Sequence, residues 1–99
     1  MYYAFQRGKD GDHFVPVKGR PVKIEGFEEF EFFYYKKNGL YYFVEAKSGL
    51  GLGSFKRLKQ AKKFAEEALK SIGAERFQEQ IDKKVAENGI SPRYEEVKQ

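Results

Sequence analysis

The side chains able to do chemistry in this 99-residue chain are few: one histidine, four serines, and neither threonine nor cysteine. His13 has no second imidazole or thiolate with which to hold a metal, and no serine spaced to make a nucleophile–base pair with it. It is read as a solvated ring beside a turn. The carboxylate pairs Glu28/Glu29, Glu66/Glu67 and Glu95/Glu96 have the residue types for acid–base work. Adjacent acids in such charged surroundings are read instead as solvated. The expectation is therefore a chain with no catalytic residue, no metal, no cofactor and no small-molecule substrate.

Two further stretches could bind anions. The run Gly49-Leu50-Gly51-Leu52-Gly53-Ser54 has neither the spacing of a phosphate-binding loop nor that of a dinucleotide fingerprint. Its glycines are read as a tight turn and close packing, with Gly53, Ser54 and Lys56 at a helix start as the weaker phosphate-holding alternative. Lys56, Lys59, Lys63 and Lys70 lie within roughly 60° of one another on a helical wheel, opposite an apolar stripe. Glu66 and Glu67 flank this ridge, and Glu66 with Lys70 forms a favourable i,i+4 pair. A solvated helix face is the preferred reading, and a phosphate-tracking surface the alternative.

The elements that must position these residues lie between Phe30 and Leu69. Asn38-Gly39 between two Phe/Tyr/Val runs predicts a type I′ hairpin. A two-residue turn sets Lys37 opposite Leu40, Tyr35 opposite Tyr42, Phe33 opposite Val44 and Glu31 opposite Ala46. A second turn at Ser48-Gly49 is expected to pair Ala46 with Gly51 and Val44 with Gly53, giving strands Phe30 to Lys37, Leu40 to Ala46 and Leu50 to Gly53.

Alternation then gives the sheet two faces. One is small: Val44, Ala46, Gly51 and Gly53. The other carries Phe30, Phe32, Tyr34, Tyr41, Phe43, Leu50 and Leu52. A helix from about Ser54–Arg57 to Gly73, with the stripe Leu58, Ala61, Phe64, Ala65, Ala68, Leu69 and Ile72, is expected on the small face. A second helix, Ala74 to Glu87, carries the stripe Phe77, Ile81, Val85 and ends at Asn88-Gly89.

Upstream, Met1 to Arg7, His13 to Lys18 and Val22 to Glu25 read as strands, the second limited to an edge or a short strand by Pro16. Apolar N-terminal residues (Tyr3, Phe5, Phe14, Val15, Val17, Val22, Ile24) are expected over the Phe/Tyr face. They would leave Tyr34, Lys36, Tyr41 and Phe43 partly open to a protein partner or a second copy.

Composition sets outer bounds. Apolar residues at 40% and aromatics at 17% argue for a folded chain. The expectation is a single α+β domain over residues 1–92, an antiparallel sheet of three to six strands with a C-terminal helix pair on one face, and a loosely held tail over residues 93–99, pinned at most by Tyr94. No run reaches a membrane span, and the opening residues MYYAFQRGKDGD have no signal-peptide apolar core. Without cysteine, a reducing cytoplasm is the expected setting. The net charge of +4 tilts mildly toward anionic partners.

Strand, turn, glycine strand and helix, with Lys59, Ala61-Lys62, Ala65, Ala68 and Leu69, resembles the C-terminal half of a double-stranded-RNA-binding domain. That resemblance covers residues 30–72 and implies phosphate contacts from the helix start. No helix precedes the strands, and Leu58 stands where that motif favours a lysine. The phrase YYFVEAKSGLGLG before a lysine/alanine helix also resembles small uncharacterised phage and mobile-element proteins. The functional expectation is a non-catalytic interaction module that uses the aromatic sheet face to bind a protein or itself. The alternative is a nucleic-acid-binding domain using the lysine ridge.

Overall fold

The computed structural model describes residues 1–9 and 11–97. Asn38 and Gly39 both take positive φ, 53° and 79°, as a type I′ turn requires. They join β4 (Phe32–Lys37) to β5 (Leu40–Glu45) in the expected register, with Tyr35 opposite Tyr42 and Phe33 opposite Val44. β3 (Arg20–Val22) and β6 (Gly51–Phe55) flank this hairpin, giving a four-stranded antiparallel sheet of order β3-β4-β5-β6. β3 covers Arg20–Val22 and not the expected Val22 to Glu25, and Pro21 is accommodated because β3 is an edge. β1 (Tyr2–Gly8) and β2 (Gly11–Val17) pair as a separate two-stranded hairpin.

The turn after β5 is not the expected two-residue one. Glu45 is 2% exposed, and its carboxylate accepts hydrogen bonds from Lys47 N (2.9 Å), Ser48 N (2.8 Å) and Ser48 Oγ (2.6 Å). The Glu45 and Leu50 backbones then pair across the loop, Glu45 N donating to Leu50 O at 2.9 Å. Val44 consequently faces Gly51, while Tyr42 faces Ser54 and Tyr41 faces Phe55. The extra residue is a bulge in β6, and it turns Phe55 to the Tyr41 side of the sheet.

The chain continues into α1 (Leu58–Ile72) and α2 (Ala74–Asn88), separated by Gly73 at φ 85°. These helices cover the Phe/Tyr face, not the small one. Ala61, Ala65 and Leu69 of α1 and Phe77 and Ile81 of α2 form one buried cluster with Phe32, Phe43, Ile24 and Phe27. The Phe77 ring stacks on Phe32 at 5.9 Å and meets Phe30 edge-on at 5.0 Å.

The N-terminal hairpin covers the opposite face, where Phe33, Val44 and Ala46 pack with Tyr2, Val17, Tyr35, Tyr42 and Tyr94. The helices and the β1–β2 hairpin are thus exchanged relative to expectation, whereas Val22 and Ile24 do lie on the Phe/Tyr face as expected. The reason is size. A helix face of alanines sits down on projecting rings, and the large side chains of the hairpin fill the space over the small face. Gly51, expected beneath α1, is exposed, and a Cβ there would meet nothing within 4 Å.

The expected loose tail is held at its start. Pro92–Val97 forms a short helix, α3. Arg93 and Tyr94 both bond Glu31, so the pinning expected of Tyr94 is reinforced by Arg93. Residues 98–99 of that tail lie outside the described residues. No helix among the described residues is long and apolar enough to cross a membrane.

Candidate functional site

Of the four residues expected to meet a partner, Phe43 is 1% exposed and belongs to the core. Tyr34, Tyr41 and Lys36 do come together at the tip of the β4–β5 hairpin. The Tyr34 ring stacks on Phe43 at 5.7 Å and meets Tyr41 edge-on at 6.2 Å. The Lys36 ammonium lies 5.3 Å from the centre of the Tyr41 ring, a cation–π contact. Tyr34 and Tyr41 are half-buried and pack against the helix-side core, so this tip offers a partner only part of each ring.

The lysine ridge is where the helical wheel places it. Lys56, Lys59, Lys63 and Lys70 are all exposed. β6 returns toward the β4–β5 tip, with Phe55 opposite Tyr41 and Tyr41 opposite Lys36. Lys56 and Arg57 therefore sit at the same end of the sheet as Lys36 and Lys37. The first turn of α1 contains no acid. His13 is exposed, with Nδ1 3.2 Å from the Gly11 carbonyl oxygen.

A different surface is more specific. β6 ends the sheet on one side, and among the described residues no strand pairs with its outer edge. The opposite edge is only three residues long and contains Pro21, two devices that blunt pairing. β6 has neither proline nor charge over Gly51–Phe55, and of such devices carries its bulge at Leu52–Gly53.

On its helix side runs an apolar groove of about 310 Å³, lined by Leu52, Phe64, Ala68 and Ile72, with Gln80 as its polar residue. The Phe64 ring packs on Phe55 at 5.1 Å yet is 47% exposed. On the hairpin side a second cleft of about 430 Å³ brings Arg7, Tyr35, Tyr42 and Ser54 together. Tyr35 and Tyr42 stack there at 5.2 Å. Burial, and secondarily the neighbouring Tyr42, raises the Tyr35 phenol above its ordinary pKa.

No family model, curated protein or solved structure gives a significant match to this chain. Phe64 and Arg7 did not stand out in the sequence. Phe64 was counted with the apolar stripe, but it lies roughly 80° from the stripe's centre on a helical wheel. That border position was the available signal. For Arg7 there was none, because its place depends on which face the N-terminal hairpin covers.

Proposed function

We propose that this chain is a non-catalytic protein-binding domain whose docking site is the open edge of β6 and the groove beside it. The observation that carries this reading is Phe64, a large apolar side chain left half in solvent beside an unpaired strand edge. Extended peptides add to such edges through main-chain hydrogen bonds, and flanking pockets take alternate side chains. Grooves on both faces of β6 supply those pockets. The aromatic face proposed from sequence now forms the helix-side core, so the interaction surface moves from that face to its edge.

The experiment is amide-shift mapping of the isotope-labelled protein with peptides selected from a random library. Shifts concentrated on Gly51–Phe55 and Phe64, and lost in Phe64→Asp, support the reading. Selected peptides that bind Phe64→Asp undiminished overturn it.

A second reading keeps the lysine ridge as a nucleic-acid contact. Its support is the shared end of the sheet at which Lys36, Lys37, Lys56 and Arg57 gather. Duplex RNA, duplex DNA and single strands titrated over a salt series separate the two, since phosphate contacts weaken steeply with salt and an apolar groove does not.

A further inference from the structure

The charges around β6 say which kind of segment its edge would take. Lys56 and Arg57, both exposed, stand at its C-terminal end. Lys83 and Lys84 of α2 stand beside Leu50 at its N-terminal end, with Glu87 the one acid of that group. Arg7 lines the cleft on the hairpin side. The only ion pair among the described residues joins Arg93 to Glu31, so none of these five cations makes a direct carboxylate contact there, with Asp12 opposite Arg7 in the β1–β2 register the nearest acid to that residue's strand position. Lys84 instead lies 6.0 Å over the Phe5 ring.

We infer that the β6 edge receives an extended segment of a partner protein with apolar side chains in its middle and acidic residues at both ends. This inference rests on the β6-edge reading above.

The spacing fits such a segment. Five residues of strand span roughly 17 Å, so acids flanking an apolar centre of about that length meet a cation cluster at each end. Side chains of an added strand alternate between faces. One set enters the Leu52/Phe64 groove, and the other faces Tyr35, Tyr42 and Arg7. The bulge at Leu52–Gly53 interrupts the outer ladder, so the apolar anchors and the end charges must supply affinity that main-chain bonds alone cannot.

A second copy fits less well. A two-fold axis would pair β6 antiparallel with itself, bringing Lys56 and Arg57 of one protomer to the Lys83/Lys84 end of the other. Like charges face each other at both ends of that arrangement. Nucleic acid also fits less well, because its evenly spaced phosphates would cross an uncharged strand and an apolar groove between the two clusters.

The test is selection from a random library of roughly twelve-residue peptides, long enough to pass both ends of the edge. Selected peptides are then titrated against wild type, Phe64→Asp, Ala68→Glu and a Lys56→Glu/Lys83→Glu double variant, with circular dichroism confirming folding. The expected winners carry acid–apolar–acid patterns, lose about tenfold or more in affinity with either groove variant, and lose a similar factor with the double variant. Winners with neutral or basic ends that still need Phe64 overturn the acidic-segment inference while leaving the edge site intact. Winners indifferent to Phe64 and Ala68, or no enrichment, overturn the edge site itself. Self-association lost in Phe64→Asp would name a second copy as the occupant and overturn the inference. Oligonucleotide binding lost in the double variant would do so in favour of nucleic acid.

Discussion

The Arg93 guanidinium holds both carboxylate oxygens of Glu31, with Nε donating to Oε1 at 3.0 Å and a terminal nitrogen to Oε2 at 2.7 Å, across 62 residues of sequence. The Tyr94 hydroxyl donates to the same Oε1 at 2.7 Å. Arg93 also donates to the Met1 carbonyl at 3.3 Å and lies 4.3 Å over the Tyr2 ring. Arg93, held by this carboxylate, thus ties α3 to the N-terminal hairpin and to the segment leading into β4. The Arg93 hydrogen bond holds the Glu31 carboxyl below its ordinary value against the opposing effect of burial, with Tyr94 assisting.

A group whose folded pKa is depressed contributes stability above its unfolded pKa and loses it as pH falls through the folded value. For Glu31 that loss begins below the ordinary glutamate value of 4.5. Arg93→Ala should cost about 1–2 kcal/mol at neutral pH, the lower end reflecting partial exposure of the pair. Glu31→Gln should also destabilise at neutral pH and flatten the acid limb of the stability curve. Urea melts from pH 7 down to pH 3 check both. An acid limb unchanged in Glu31→Gln would remove this clasp from the account.

Two glycines should respond oppositely to alanine. A Cβ on Gly19 would lie 2.7 Å from the Phe33 ring and 3.0 Å from Tyr2, at the seam between hairpin and sheet. Phe33 is fully buried and has no room to retreat, so Gly19→Ala should destabilise by about 1–3 kcal/mol. Gly51 has no positive φ and nothing within 4 Å of a Cβ. Gly51→Ala should be neutral or slightly stabilising, by up to about 0.5 kcal/mol, through the unfolded chain. Paired denaturant melts decide it.

Much of this was legible in the sequence, and the limit has a physical cause. Asn38-Gly39 fixed the β4–β5 register because turn type and side-chain period leave no slack. The helix spans followed from glycines and apolar spacing. Alternation says which residues share a face, but it does not say what covers that face. A rule of small on small places α1 over Gly51, whereas the chain packs small Ala65 against the rings of the sheet. The longer loop that the Glu45 carboxylate closes and the bulge that follows it in β6 were equally hidden, because alternation alone does not mark an extra residue in one strand. The edge site follows from both: Phe64 becomes exposed only once α1 sits on the ring face beside β6.

Phe77 joins α2 to the sheet through Phe30 and Phe32 and is 1% exposed. Phe77→Ala should cost about 3–5 kcal/mol, enough to unfold much of a small domain, whereas Phe77→Leu should keep the fold at a smaller cost. Thermal melts followed by near-ultraviolet dichroism report both the loss and the freed aromatic packing. A Phe77→Ala protein melting like wild type would show that α2 is not part of the cooperative unit.

The lysine ridge gives the sharpest contrast with the β6 edge. Lys59 and Lys63 are exposed and make no ion pair among the described residues, so Lys59→Ala/Lys63→Ala should leave stability within about 0.5 kcal/mol of wild type. If the β6 edge is the working surface, the same double variant should also leave peptide association within about twofold, while Phe64→Asp abolishes it. Tyr41→Ala should change that association little, because Tyr41 is half-buried against the core, lies under Lys36 and lines neither groove beside β6. The opposite pattern has its own signature. Loss of a nucleic-acid complex in the lysine variant, with Phe64→Asp binding normally, would move the function to α1. The logarithm of affinity would then fall with that of salt by about 0.9 for each duplex phosphate contacted, or about 0.7 for single strands. Two removed lysines should flatten that slope by the corresponding amount, a change that a mere loss of folded protein could not mimic.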